Sequence, residues 1–128
     1  MIIKTLKSRA PISSAKITQD MSDAEVFQNA VLRPIIKMQH ELLMSYTKNY
    51  ISTKKIKYRA MNTEARGQFL ENAFQKDSQF KHELKGMITG HFTISEYELY
   101  IKLGNEVNKR IINMVSERII GNSDELVH

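Results

Sequence analysis

The stretch SDAEVFQNAVLRPIIKMQHELLMSY, residues 22–46, decides the fold class. Ser22 and Glu25 stand three residues apart at its start, which is the spacing of a helix capping box. Pro34 lacks an amide donor and crowds the preceding turn, so we expect a kink or a break near Arg33, or a fresh helix with the proline at its first position. The apolar side chains recur in steps of three and four residues, which defines one face of an α-helix: Phe27, Val31, Ile35, Met38, Leu42 and Tyr46.

Later stretches of the chain carry the same periodicity, and capping or turn-forming residues separate them. The predicted boundaries are a cap at Asn62 or Thr63, a break and new cap at Asp77-Ser78, a stop at Gly90, a second capping box from Thr93 to Glu96, a division at Gly104-Asn105 and an end at Gly121-Asn122.

These patterns predict an all-α protein, an irregular four- or five-helix bundle with an extended N-terminal arm. Residues 1–20 show no sustained period and are predicted to form an extended or mobile arm. Residues 21–121 form the helical domain, and residues 122–128 a frayed tail. The predicted core consists of Phe27, Val31, Ile35, Met38, Leu42, Phe69, Ala73, Phe74, Leu84, Ile88, Tyr97, Ile101, Ile111 and Val115.

Composition narrows the classes of protein that this chain can form. A length of 128 residues, 41% of them hydrophobic, fits one globular domain and excludes an enzyme with separate cofactor and substrate lobes. The absence of cysteine excludes disulfide scaffolds, thiolate zinc sites and iron–sulfur clusters. No window approaches the roughly 18 uninterrupted apolar residues of a membrane helix, and the lysines at the start of the chain interrupt any signal sequence. We expect a cytoplasmic protein with no membrane contact.

The histidines match no catalytic or metal-binding pattern. His40 and His82 each precede a glutamate, but neither has the second imidazole four residues later that a zinc helix needs. The helical di-iron pattern needs two Glu-x-x-His pairs, and only Glu125 with His128 has that spacing. His91 stands at a helix junction and is predicted to be partly buried in a structural role. There is also no serine elbow and no glycine-rich phosphate loop, so we predict no catalytic residue, metal or cofactor.

The segment of residues 45–66 carries the strongest indication of a partner. It holds six basic residues and one acid, with tyrosines between them, in a chain of net charge +5. Ile56 and Ala60 alternate with basic residues as in a strand, but a single strand would have no pairing partner, so residues 51–62 are predicted to form a loop or extended connector. Such a segment could follow phosphates while tyrosines stack on bases. The predicted anion-binding residues are Lys54, Lys55, Lys57, Tyr58, Arg59 and Arg66.

The chain resembles a small family of bacterial all-helical proteins of similar length, some of which carry the label "glyoxalase". The resemblance lies in residues 27–37, in Glu71 to Asp77, and in residues 84–100, and it spans about residues 20–120. It implies an all-helical domain and carries over no catalytic residue. Glyoxalase-type enzymes are built from paired βαβββ modules with His and Glu metal ligands on strands, and this sequence has neither, so the label does not apply to it.

Three functions therefore remain open from the sequence. The first is a non-enzymatic interaction module that binds a protein partner or itself, because the first and last helices are apolar on more than one side. The second is a binder of nucleic acid or another anionic partner through residues 45–66, which predicts steep salt dependence. The third is a small enzyme with a site assembled from His40, His82 and their neighbouring glutamates.

Overall fold

The structure, a computed structural model, describes residues 22–127 and contains no strand within that range. The predicted all-α fold is confirmed. The predicted arm, residues 1–20, and His128 lie outside the described residues. The α-helices are α1 Asp23–Phe27, α2 Arg33–Met38, α3 His40–Ser52, α4 Thr63–Lys76, α5 Ser78–Thr89, α6 Ile94–Leu103 and α7 Asn105–Gly121.

Four helices, α1, α4, α5 and α6, begin where the capping residues predicted. Ser22 and Thr93 each accept a hydrogen bond from the backbone amide three residues on, and a glutamate reaches back to complete each capping box. Asn62 caps α4 by accepting from the Ala65 amide at 2.8 Å. Asp77 ends α4 and caps α5, accepting from the Phe80 amide at 3.1 Å. These side chains satisfy amide donors that would otherwise lack partners at helix starts.

Pro34 does not interrupt the run of helical residues, because a π-helical turn, Gln28–Leu32, comes just before α2. The Arg33 amide donates to the Gln28 carbonyl, five residues back instead of four, and α2 then begins with proline in its first turn. The extra residue in this turn rotates the later side chains about the helix axis relative to the earlier ones. A second interruption of the helix falls at Gln39, where φ is −90° and ψ is 8°. The predicted single face of residues 22–46 is therefore divided.

The central helix is α7, which contacts α1, α3, α4, α5 and α6. It buries one residue per turn completely: Val107, Ile111, Val115 and Ile119. The strict spacing of four residues keeps these side chains in one stripe, and the shorter helices surround it. The remaining large side chains with almost no exposure are Phe27, Leu32, Ile35, Leu43, Leu70, Phe80, Leu84 and Ile88.

The predicted core was wrong at several positions. Leu42 is 49% exposed, because the π turn and the Gln39 interruption bring Leu43, Met44 and Thr47 of α3 to the interior instead. Thr47 is fully buried and donates its hydroxyl to the Leu43 carbonyl at 2.8 Å, which satisfies it. Met38 and Phe69 are only partly buried, and Tyr97 and Ile101 face outward.

The connector prediction for residues 51–62 holds only in part. Helix α3 continues through Ser52, bends follow, and a 3-10 turn covers Tyr58–Ala60. Ile56 is exposed while Tyr58 is buried, so the alternating pattern does not define two faces of a strand. Without a neighbouring strand, the backbone hydrogen bonds here are local ones, such as Ala60 to Lys57 at 3.0 Å.

The frayed-tail prediction was wrong for residues 123–127. They form a 3-10 turn, Ser123–Val127, with Ser123 and Leu126 buried. This turn contacts α3 and α4. The sequence signal for it was the apolar pair of Leu126 and Val127, which is too short to show a helical period.

Candidate functional site

The predicted anion-binding segment contacts the protein's own C-terminal turn, Ser123–Val127. Tyr58 is buried and donates its hydroxyl to the Ser123 carbonyl at 2.7 Å. The Arg66 guanidinium donates to the Asp124 carboxylate at 2.8 Å and to the backbone carbonyls of Tyr58 and Arg59 at 3.1 and 2.7 Å. It also lies over the Tyr58 ring, with the guanidinium carbon 5.3 Å from the ring centroid. In this arrangement Tyr58 cannot stack on a base.

Two more of the predicted residues also have contacts within the fold. Arg59 donates to the Val127 carbonyl at 3.0 Å. The Lys54 ammonium lies 4.6 Å from the centroid of the Tyr50 ring and 3.9 Å from the Asp77 carboxylate. Lys55 and Lys57 are exposed. The acidic residues 124–125 were the sequence feature that could have indicated an internal partner for the basic segment. Asp124 supplies the negative charge that pairs with Arg66.

The histidines do not meet in one site. His40 accepts at Nδ1 from the Arg118 guanidinium at 3.2 Å, and its Nε2 lies 3.4 Å from the Glu125 carboxylate. Since arginine can only donate, this geometry requires the Nε2–H tautomer of His40. His82 is exposed on α5, and His91 is partly buried after α5, as predicted. Among residues 22–127 no group of three His, Asp or Glu side chains is arranged to hold a metal ion.

Two tyrosine–carboxylate pairs join α3 to α5, one at the Asp77 cap and one at Glu83 within the helix. Tyr50 donates its hydroxyl to Asp77 at 2.7 Å, and Tyr46 donates to Glu83. The hydrogen bond from Tyr50 is the main cause that holds the pKa of Asp77 below its usual value, and the bond from Tyr46 does the same for Glu83. Burial and then the bond to Asp77 raise the pKa of Tyr50 to about 12. Both pairs connect helices.

The outer face of α6, formed by Ile94, Tyr97 and Ile101, is a group of exposed apolar side chains. None of its residues is buried, and Ile94, Tyr97 and Ile101 are 67%, 52% and 58% exposed. These three residues follow one another at steps of three and four, so they share one side of the helix. Tyr100 and Leu103 lie on another side and are partly buried against the core. The helix is therefore apolar on two sides and packed on one.

A groove of about 700 Å³ runs between the α1–α2 region and α7. Its charged groups are mixed, and several are already paired. Arg110 donates to Glu106 at 2.8 Å and to the Gln28 side chain at 2.6 Å. Its lining residues are Gln28, Arg33, Ile36, Glu106, Lys109, Arg110, Asn113, Met114, Glu117, Arg118 and Asn122.

A second groove, about 460 Å³, lies between α5 and α7 and has a different charge balance. It is lined by Lys81, His82, Lys85, Asn108, Lys109, Ile112 and Asn113, so it contains three lysines and no carboxylate. This cluster has no continuous signature in the sequence, because its members come from two helices. The available signal was the spacing of Lys81 and Lys85, which places both on one face of α5.

The sequence matches no family model, and no curated protein or solved structure shows significant similarity to it. The resemblance to small helical bacterial proteins therefore stays a prediction. None of the described helices is long and apolar enough to cross a membrane. Two surfaces of the molecule bear on its function, the outer face of α6 and the α5–α7 groove.

Proposed function

We propose that this protein is a non-enzymatic helical interaction module that self-associates through the outer face of α6. The observation that carries the proposal is the exposure of Ile94, Tyr97 and Ile101 on a helix with no buried residue. Large apolar side chains grouped in this way are typical of protein interfaces, and tyrosine is among the residues that contribute most to binding.

The choice of a second copy as partner follows from the arrangement of the stripe. Ile94 precedes Tyr97 by three residues, and Ile101 follows it by four, so the stripe has nearly the same pattern in both directions. In a two-fold symmetric dimer with antiparallel α6 helices, Ile94 of one copy would face Ile101 of the other, and the tyrosines would lie near the symmetry axis. A two-fold interface requires such self-complementarity.

The proposal is tested by measuring the mass of the protein in solution, by native mass spectrometry and by light scattering over a concentration series. We expect a dimer for the wild type and a monomer for Tyr97→Glu and for Ile101→Glu, because each places a charge in the apolar interface. The matched control is Leu42→Glu, which changes an equally exposed apolar residue on α3 and should leave the dimer intact.

Circular dichroism should show that all three variants keep the helical content of the wild type. A wild-type chain that stays monomeric throughout the concentration series would contradict the proposal. So would a dimer that both α6 substitutions leave unchanged, since its interface would then lie elsewhere.

The other functions predicted from the sequence have less support. An anionic partner for residues 45–66 would have to displace the contacts of Tyr58 and Arg66 or use the exposed Lys55 and Lys57 alone. An inter-helix His/Glu enzyme would need His40, His82 or His91 to share a pocket with carboxylates. Both ring nitrogens of His40 already contact Arg118 and Glu125, and the groove that His82 lines contains no carboxylate. A cytoplasmic location stays a prediction that the lack of cysteine favours.

A further inference from the structure

We propose that the groove between α5 and α7 binds a small phosphate-bearing anion through Lys81, Lys85 and Lys109. This inference does not depend on self-association through α6, since the groove is built from other helices. It assigns a ligand-binding role to residues that the interaction module does not use.

The first argument is uncompensated charge. The three lysines line one groove of about 460 Å³, His82 adds a fourth nitrogen group, and no carboxylate is among the lining residues. None of the ion pairs within residues 22–127 involves any of these lysines. Lys81 and Lys85 are four residues apart on α5, where like charges destabilise a helix. An anion placed among them would relieve this repulsion.

The second argument is the supply of neutral donors beside the lysines. Asn108 and Asn113 line the groove from α7. The Tyr100 hydroxyl donates to the Asn108 side-chain oxygen, which orients that carboxamide and leaves its NH₂ group to donate elsewhere. Lysine ammonium and carboxamide NH₂ groups are both hydrogen-bond donors, as phosphate oxygens require.

The composition of the groove also indicates which anion it fits. It contains no arginine, so its lysines would hold an anion as point charges, which is one established way in which proteins bind phosphate. Its volume falls within the roughly 300–1,000 Å³ of small-molecule sites. No Phe, Tyr or Trp side chain lines it, and His82 is its one aromatic ring, so it offers little stacking surface for a nucleobase. A compact phosphate compound satisfies all three conditions.

The neighbouring 700 Å³ groove shows why the ligand belongs on the α5 side of α7. The two grooves share Lys109 and Asn113, but the larger one also contains Glu106 and Glu117. Glu106 is already paired with Arg110 there. The excess positive charge that lacks a carboxylate is therefore on the side of Lys81 and Lys85.

The test is isothermal titration calorimetry of the full chain with tripolyphosphate, together with the double variant Lys81→Gln/Lys85→Gln and the single variant Lys109→Gln. We expect saturable binding of one tripolyphosphate per chain, weakened about tenfold or more in the double variant, because two charge-assisted hydrogen bonds are lost. Amide NMR shifts on titration should be largest at residues 81–85 and 108–113.

The matched control is Lys55→Gln/Lys57→Gln, which removes the same charge from exposed lysines outside the groove. It should change the affinity by less than about twofold if binding depends on the groove and not on net charge. Equal losses in both double variants, or no saturable binding by the wild type, would overturn the proposal. Tighter binding of single-stranded DNA than of tripolyphosphate, lost mainly in the Lys55/Lys57 variant, would overturn it in favour of the nucleic-acid function. Thermal melts should show that every variant is folded.

Discussion

Tyr50 and Asp77 show how single side chains couple two helices in this protein. Asp77 accepts from the Tyr50 hydroxyl at 2.7 Å and from the Phe80 amide at 3.1 Å, so one carboxylate caps α5 and fixes α5 to α3. Tyr50 also packs on Phe80, with ring centroids 4.2 Å apart. The ionised form of Asp77 serves both hydrogen bonds, which explains why its pKa is lowered.

Replacing Tyr50→Phe should raise the pKa of Asp77 toward its usual value, because the largest cause of the lowering is removed. The rise should be partial, since the Phe80 amide and Lys54 still favour the carboxylate. The pKa is measured by NMR titration of the side-chain carboxyl carbon. Tyr97→Phe is the control, because Tyr97 is an exposed tyrosine on α6, and an Asp77 pKa that is the same in both variants would contradict the assignment.

The same substitution should change how stability depends on pH. A carboxyl whose folded pKa is lowered contributes stability above its usual pKa, and this contribution is lost as the pH falls through the folded pKa. The wild type should therefore lose stability in acid more steeply than Tyr50→Phe. At alkaline pH the change in stability comes from Tyr50 itself, because its pKa is raised from 10.0 to about 12 in the folded protein. The stability of the wild type should therefore decline as the pH rises above 10.0.

At the scale of elements, Gly104 decides that the last helical stretch is two helices. Its φ of 70° and ψ of −143° lie in a region of backbone conformation that residues other than glycine rarely adopt. Gly104 ends α6 and immediately precedes α7. Its amide donates the last hydrogen bond of α6, to the Tyr100 carbonyl at 3.0 Å. This change of direction lets α7 pass through the core while α6 remains at the surface.

We expect Gly104→Ala to destabilise the protein by about 1–3 kcal/mol through backbone strain, although the added methyl group would meet no atom within 4 Å. The matched variant is Gly86→Ala, within α5, where the added methyl group also has open space. That change should stabilise by about 0.4–1 kcal/mol, because alanine favours a helix interior. Urea unfolding measures both, and shifts in the same direction would contradict the conformational argument.

At the scale of the whole molecule, the C-terminal turn Ser123–Val127 holds distant parts of the chain together. Asp124 pairs with Arg66 of α4, Glu125 lies beside His40 of α3, and Leu126 is buried. Residues that the sequence suggested for an external anion are thereby satisfied from within the molecule. The turn completes the core on the side of α3 and α4.

Leu126→Ala should lower the free energy of unfolding by about 2–5 kcal/mol, the range for truncating a buried leucine. Glu125→Ala in the same turn should cost less than about 1 kcal/mol, because its contact with His40 is solvent-exposed. Chemical denaturation compares the two. If Leu126→Ala has no more effect on stability than Glu125→Ala, then residues 123–127 do not pack against the core, and they form the frayed tail that the sequence predicted.

Local patterns in the sequence were sufficient for the fold class and for most helix boundaries. The capping boxes, the Asp77 break and the Gly104 division depend on side chains that bond to backbone three residues away or on one residue's φ, so neighbours in the sequence determine them. Periodicity identified Ile111 and Val115 correctly because α7 is uninterrupted between Asn105 and Gly121.

Only the tertiary structure decided which apolar faces are buried and which charges remain without a partner. The outward position of Tyr97 and Ile101 depends on how α6 leans on α7, and the exposure of Leu42 on a one-residue shift at the π turn. The contact of Arg66 with Asp124 spans 58 positions, and the α5–α7 groove joins residues of two helices. Burial and charge pairing are sums over neighbours in space, and a sequence pattern records neighbours along the chain.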